Sequence, residues 1–386
     1  MSDDTGGKEV NLGEGMELKK RTKYLDIVTS LRKDIESGKY RSGSRLPSEA
    51  ELIRKFGVSR MTVVKAIKQL QQEGMLNRRV GSGTYATGTS LDEHKTFGLL
   101  IPDLGQTEIF EPICRGMMRS PAVKNHSLLW GNAFSATEAR EDETEHLCHH
   151  YIDQGVNGVF FAPLEFPIHR DVNSRILRAL KQARIPVVLL DKDYLEYPLR
   201  SDYDLVGLDN RHAGYVVTKH LIQQGARRIA FFSREFSAQT VEHRIVGYRE
   251  ALFAEGLEIS HDLVLRGDAG DSSFVDRCLR TTKIDAVMCA NDHTAANLMQ
   301  TLLALGVRIP QDIRIAGVDD VRYANLLPIP LTTLHQPCAD IGAVGMSAML
   351  ERVSNPGLPT RSILLGGHLV VRRSCGEGAN RLSQGR

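Results

Sequence analysis

The chain has 386 residues, 41% hydrophobic and 25% charged, the composition of a soluble globular protein of two or three domains. No apolar run approaches the roughly 20 residues that cross a bilayer, and six scattered cysteines with no CxxC pair argue for reduced thiols in a cytoplasm, against a disulfide scaffold. The formal net charge of +2 hides an asymmetry: residues 17–88 carry 16 Lys and Arg against 7 Asp and Glu, while the segments on either side are net acidic. Positive charge gathered in one small segment points to a polyanionic partner.

Residues 1–16 are polar and acidic (Asp3, Asp4, Glu9, Glu14), so a disordered tail is expected there, not a signal peptide. The first helix is expected in "YLDIVTSLRKDIESG", with Leu25, Val28, Leu31 and Ile35 on one face and a stop at Gly38. A second follows "LPSEAEL", where Ser48 and Glu51 have the spacing of a capping box, and it ends at Gly57. The third starts at Ser59 and turns Val63, Ala66, Ile67 and Leu70 inward, which leaves Arg60, Thr62, Lys65 and Lys68 outside. Two short helices about a glycine turn, the second one basic, outline a helix-turn-helix. Next, "MLNRRVGSGTYAT" reads as a hairpin with Arg78 and Arg79 on its approach, and Gly81 and Gly83 let the backbone come close to a groove. A hairpin that only closes the domain is the competing reading; the basic helix ahead of it favours DNA.

Residues 23–85 resemble the winged helix-turn-helix of the GntR family of bacterial repressors. The resemblance is carried by Leu46-Pro47-Ser48-Glu49, by Val58-Ser59-Arg60-Met61-Thr62-Val63, and by Gly81-Ser82-Gly83-Thr84-Tyr85. It implies Ser59, Arg60 and Thr62 at the major groove. Gly81, Ser82, Gly83 and Thr84 would lie at the minor groove or phosphates, with Arg45, Ser48, Glu49, Lys65, Arg78 and Arg79 completing the DNA-binding set. One departure is Val64, where the family commonly has arginine. A bidentate guanine contact is not expected there, and Lys65 would supply a phosphate contact instead.

After a polar linker at 88–95 the character changes. The runs "FGLLIPD", "HSLLWGN", "GVFFAP", "PVVLLD", "RIAFFS", "AVMCAND" and "IRIAGVDD" alternate with helical patterns, as expected of parallel sheets buried on both faces. They fall into two groups about "VGLDNRHAGYVVTKHLIQQG", which suggests two lobes and a cleft. Asp103, Asp191, Asn291 and Asp319 stand at strand ends, where open α/β sheets bind ligands. Trp130, inside an apolar run, is expected in the core.

Residues 96–375 resemble the effector domain of the LacI family, whose bilobed fold is shared with periplasmic sugar-binding proteins. "GLDNRHAG", "HRIVGYREAL", "CANDHTA", "IRIAGVDD" and "PLTTLHQP" carry the likeness. The pairing of the two parts is the arrangement of arabinose-type repressors. The implied ligand set is Asp103, Gln106, Phe110, Asp191, Arg244 (opening the "HRIVGY" helix), Asn291, Asp292, Asp319 and Gln336. Phe110 would lie on an apolar sugar face, and the carboxylates, amides and guanidinium suit a polyol. Asp292, Gln336 and Asn210 read equally well as caps or braces. The loop "PDLGQTEIF" departs from the family pattern, so no relative's ligand can be copied.

The expected architecture is thus α/β: a winged helix-turn-helix domain (17–87) plus a bilobed periplasmic-binding-protein-like domain (96–376) with two parallel sheets, and a disordered tail at 377–386. The resemblance implies a cytoplasmic, ligand-responsive transcriptional repressor of sugar-utilisation genes. It would bind a pseudo-palindromic double-stranded operator as a homodimer and a sugar-like effector, with no cofactor and no membrane. A solute-binding protein for transport is the alternative, disfavoured by the basic head and the lack of a leader pattern. An enzyme is disfavoured because no GxSxG, HExxH, P-loop or paired carboxylates at a recognisable spacing occur. His146, His149 and His150 have metal-compatible helical spacing but read better as a solvated face, so no metal is expected.

Overall fold

A computed structural model describes residues 12–37, 39–40, 43–79, 82–86, 94–101, 108–123, 125–131, 140–165 and 170–376. The chain divides into two compact units between His94 and Lys95. In the first, α1 spans Leu12–Glu36, α2 Glu49–Phe56 and α3 Arg60–Gln72, followed by β1 Leu76–Arg79 and β2 Gly83–Ala86.

Helix α1 begins inside the stretch expected as a tail. Glu14, Met16, Glu17, Leu18 and Lys19 are strong helix formers, a preference that the acidic polar character masked. Its buried stripe is Ile27, Val28, Leu31 and Ile35, whereas Leu25 is 51% exposed. The face drifts toward Ile27 because 3.6 residues per turn put Leu25 on the flank. The start of α2 holds both halves of the capping box: the Ser48 amide donates to Glu51 Oε2 (2.7 Å) and the Glu51 amide to Ser48 Oγ (3.3 Å). Gly57 ends it at φ 60, a left-handed conformation that glycine adopts without strain. Val63, Ala66, Ile67 and Leu70 of α3 are buried against α1.

Strands β1 and β2 pair antiparallel with Arg79 opposite Gly83. Residues 43–46 add a third strand-like segment, with the Leu46 amide donating to Thr84 (2.8 Å) and the Ala86 amide to Ser44 (2.9 Å).

The second unit has two lobes. The first lobe opens with β3 Lys95–Leu100, α4 Phe110–Arg119, β4 His126–Trp130, α5 Arg140–Asp153, β5 Gly158–Phe161, α6 Arg170–Gln182, β6 Val187–Leu190 and β7 Asp204–Leu208. The chain then crosses to the other lobe. There it forms α7 Asn210–Gln223, β8 Ile229–Ser233, α8 Gln239–Ala254, β9 Val264–Arg266, α9 Ser272–Thr282, β10 Ala286–Cys289, α10 Asp292–Ala304, β11 Arg314–Asp319 and β12 Thr332–His335. It returns to the first lobe for α11 Cys338–Ser354 and β13 Ser362–Leu365, and crosses a third time to end in β14 His368–Val370.

One sheet has the order β4-β3-β5-β6-β7-β13 and is parallel throughout. The other, β9-β8-β10-β11-β12-β14, is parallel except for β14. Strands β5, β6 and β10 are buried at every position, as runs such as "GVFF" and "VVLL" require when helices cover both faces. Trp130 departs from expectation: it closes edge strand β4 and is 57% exposed, because an edge strand lacks a neighbour on one side.

Glycines draw one helix pair in each lobe together. A Cβ on Gly214 or Gly247 would meet the backbone carbonyl of Arg244 or Arg211, which brings α7 and α8 into backbone contact. Gly116 and Gly342 do the same for α4 and α11, against Ala339 and Ile113. All six cysteines are buried and none is disulfide-bonded. No described helix is long and apolar enough to cross a membrane.

Candidate nucleic-acid interface and effector cleft

On the first unit, the Ser59 hydroxyl accepts from the Thr62 amide (3.3 Å) and lies 2.9 Å from the Thr62 hydroxyl, so both residues are engaged in starting α3. Glu49 reaches two guanidinium groups, Arg60 at 3.3 Å and Arg78 at 3.2 Å, linking the start of α3 to the wing. Both arginines keep more than half of their side-chain surface exposed. Lys65 Nζ sits 5.1 Å from the Tyr24 ring centroid, held toward α1. Arg45 pairs with Tyr85 through the backbone, and its guanidinium lies over Gly83, where a Cβ would come within 2.9 Å of Nε. The Arg45 side chain could move aside, but Gly83 has φ +125, a backbone conformation that favours glycine. Ser82 Oγ and Tyr85 Oη are 2.6 Å apart, and the Thr84 carbonyl is taken by Leu46. Gly81 and the Arg79 side chain lie outside the described residues. Met61, absent from the expected set, is fully outward on α3.

The second unit holds a cavity of about 420 Å³ between the lobes, within the range of small-molecule sites. Phe110, Asp191, Arg244, Asn291 and Asp319 line it; Asp103 and Gln106 lie outside the described residues. Helix α8 begins at Gln239, so Arg244 sits in its second turn instead of opening the helix. Arg244 Nε donates to Asn210 Oδ1 (2.8 Å), one Nη donates to the Ala290 carbonyl, and the other lies 3.6 Å from Asp319. Asn291 caps α10 by accepting from the Thr294 amide (2.9 Å). Asp191 comes from the first lobe, and its Oδ1 has no hydrogen-bond partner among the described residues.

Burial pushes the Asp191 carboxyl above its ordinary range, with Lys192 and Arg244 opposing the shift. Burial likewise pushes Asp319 up to about 7; Arg244 holds it down, and Asp191 and Glu108 add to the rise. Asp191 and Asp319 have φ of 68° and 119°, left-handed backbone that non-glycine residues keep only where their surroundings over-determine it. Sequence reasoning missed Glu108, Glu165, Lys192, Arg234, His293 and Tyr323, which also line the cavity. Lys192 and Arg234 follow strand ends, the one signal that could have marked them.

Two expected ligand residues are placed elsewhere. Asp292 is fully buried: Oδ1 accepts from Thr333 Oγ1 (2.6 Å), Oδ2 accepts from the Val321 amide (3.0 Å), and Gly317 leaves room for it. It braces β11, β12 and α10 instead of facing the cavity. Gln336 is buried at a lobe crossing, outside the cavity lining, with neither amide atom partnered among the described residues.

A winged helix-turn-helix unit carried in one chain with a two-lobed α/β domain, whose inter-lobe cavity is lined with charge, defines the class. Residues 23–86 match the bacterial regulatory proteins of the gntR family, and residues 218–375 match the periplasmic binding protein-like domain. The chain joins a GntR-type helix-turn-helix domain to a periplasmic-binding-protein-like domain. It is 26% identical over 375 residues to the arabinose metabolism transcriptional repressor of Geobacillus stearothermophilus, covering 94% of this chain and 100% of the relative. The crystal structure of a transcription regulator GntR from Chromobacterium violaceum superposes with a TM-score of 0.57 at 27% identity, over 73% of this chain and 99% of that one. A complex of the transcriptional regulator CelR with cellobiose superposes with a TM-score of 0.63 at 25% identity, over 82% and 91%.

Proposed function

We propose that this chain is a cytoplasmic transcriptional repressor of sugar-utilisation genes, whose hold on operator DNA is set by a polyhydroxylated effector bound between the lobes. The observation that carries the reading is the facing set in the cavity. Asp191 projects from the first lobe with an acceptor that no described residue satisfies, opposite the Arg244–Asp319 pair of the second. A ligand with hydroxyls on both sides satisfies groups from both lobes and so favours one relative placement of them. Relatives named for arabinose metabolism and for a cellobiose complex support a saccharide. Arg60, Arg78 and Lys68 supply the exposed positive surface of the head.

A single helix-turn-helix reads one half-site, so a homodimer on a pseudo-palindromic operator follows from the reading. Control is linkage: an effector that prefers one state of the dimer must lower operator affinity by the factor by which DNA lowers effector affinity. The test is a thermal-shift screen with monosaccharides and disaccharides, followed by DNA binding with each hit. Stabilisation by a sugar that then weakens salt-dependent DNA binding is expected. Sugar binding without any affinity for DNA would favour a transport binding protein instead, and turnover of the sugar would make the chain an enzyme.

A further inference from the structure

Among the described residues, Met61 has the highest exposure of any large apolar side chain, 82%. Methionine is ordinarily among the most buried residue types, so this placement needs a reason. The buried face of α3 is formed by Val63, Ala66, Ile67 and Leu70, and at 100° per residue Met61 falls on the opposite side of the helix. Lys68, seven residues on, shares that outward stripe and is exposed; Lys65, four residues on, is exposed beside it with its Nζ turned to the Tyr24 ring. Arg60 is drawn to the flank by Glu49, which leaves Met61 at the crest of the first turn. An apolar crest flanked by cationic side chains fits a surface that is polyanionic overall but carries an apolar group within reach. The major groove meets that description, because thymine presents its C5-methyl there between the phosphate rows.

We infer that Met61 is a specificity residue that reads a thymine methyl in the major groove. The inference rests on the DNA-binding reading above and names the base chemistry that α3 selects. The family motif points to its neighbours Ser59, Arg60 and Thr62; the helical phase turns Met61 outward, and the structure gives the extent of its exposure.

The probe is double-stranded DNA selected by the full chain from a randomised library, with binding followed by fluorescence anisotropy at fixed salt. Each thymine of the half-site is replaced in turn by deoxyuridine, which removes only the methyl. At one thymine per half-site the wild type should lose about fourfold in affinity for each methyl removed. Met61→Ala should lose a similar factor on thymine DNA and be indifferent to uracil at that position, while Met61→Leu, still apolar, should keep the uracil penalty. Uracil tolerated within twofold at every position would overturn the inference. So would a uracil penalty that persists unchanged in Met61→Ala, or Met61→Ala binding the selected DNA like wild type, which would leave the crest to a protein partner. Selection that enriches no sequence at all would remove the DNA reading itself, and this inference with it.

Discussion

Replacing Arg244 by alanine should destabilise the second unit as well as empty its cleft of a donor. The residue is 5% exposed, and its guanidinium serves Asn210 Oδ1, the Ala290 carbonyl and Asp319. Removing one partner of a buried pair costs about 3–5 kcal/mol, a range that already contains the lost hydrogen bonds to a charged group. The expected loss of unfolding free energy at pH 7 is therefore about 3–5 kcal/mol.

The loss should also depend on pH. Asp319 stands at about 7 with Arg244 holding it down, and without the guanidinium it rises further. Well below pH 7 the carboxyl is neutral in both proteins and makes no difference between them. As pH rises through 7 the wild type ionises against Arg244 while the variant must retain its proton, so the gap widens by up to about 1.4 kcal/mol per pH unit. Urea unfolding at pH 6, 7 and 8, followed by the fluorescence of Trp130, measures this, because the chain has one tryptophan and it lies in this unit. A loss under about 1 kcal/mol at pH 7 would show that the guanidinium contributes nothing net, contrary to the range for broken buried pairs. A gap flat in pH would show that Asp319 is not the group it neutralises.

Asp191→Asn removes a carboxyl whose folded pKa burial has raised. Wild-type stability should fall as pH rises above the ordinary carboxylate range, so the variant should melt higher than wild type at pH 8 and alike near pH 3; the reverse order would refute the burial argument. Arg60→Ala should cost about 1–3 kcal/mol on selected DNA and relax base preference; equal losses on selected and random DNA would reduce it to a phosphate contact. Arg78→Ala should instead weaken all sequences and flatten the salt dependence by about one counterion, read as the slope of log affinity against log salt. Gly247→Ala drives a methyl into the Arg211 carbonyl of α7 and should cost about 1–3 kcal/mol or more in thermal unfolding; an unchanged melting temperature would mean the helices can part.

What could be read from the sequence was local. The Ser48 box, the Gly57 stop and the inward face of α3 depend on neighbours within a turn or two, and the structure has all three. The long apolar runs became strands for the same reason. Segments whose pairing is set at a distance were invisible: residues 43–46 join the wing without alternation to announce it, and β13 and β14 are short and half-exposed. The cleft shows the same division. Asp191 and Asp319 stand at strand ends and were readable there, whereas Asp292 is a brace because Thr333 and Gly317 close on it from far along the chain. Met61 was not in the expected set, although the inward phase of α3 already puts it on the opposite side; the structure adds how exposed it is.

The three crossings between lobes have a consequence for how the chain comes into being. On a ribosome, β3 to β7 emerge first, yet their sheet lacks its edge strand β13 and its cover α11 until the whole middle of the chain has been made. The second lobe waits in turn for β14, which follows both. Neither lobe can be finished before the last stretch of the domain is synthesised, and such long-range closure is slow compared with local packing. A chain cut short after Gln336 would therefore leave two incomplete lobes, each presenting an open sheet edge, and would be a substrate for aggregation or proteolysis.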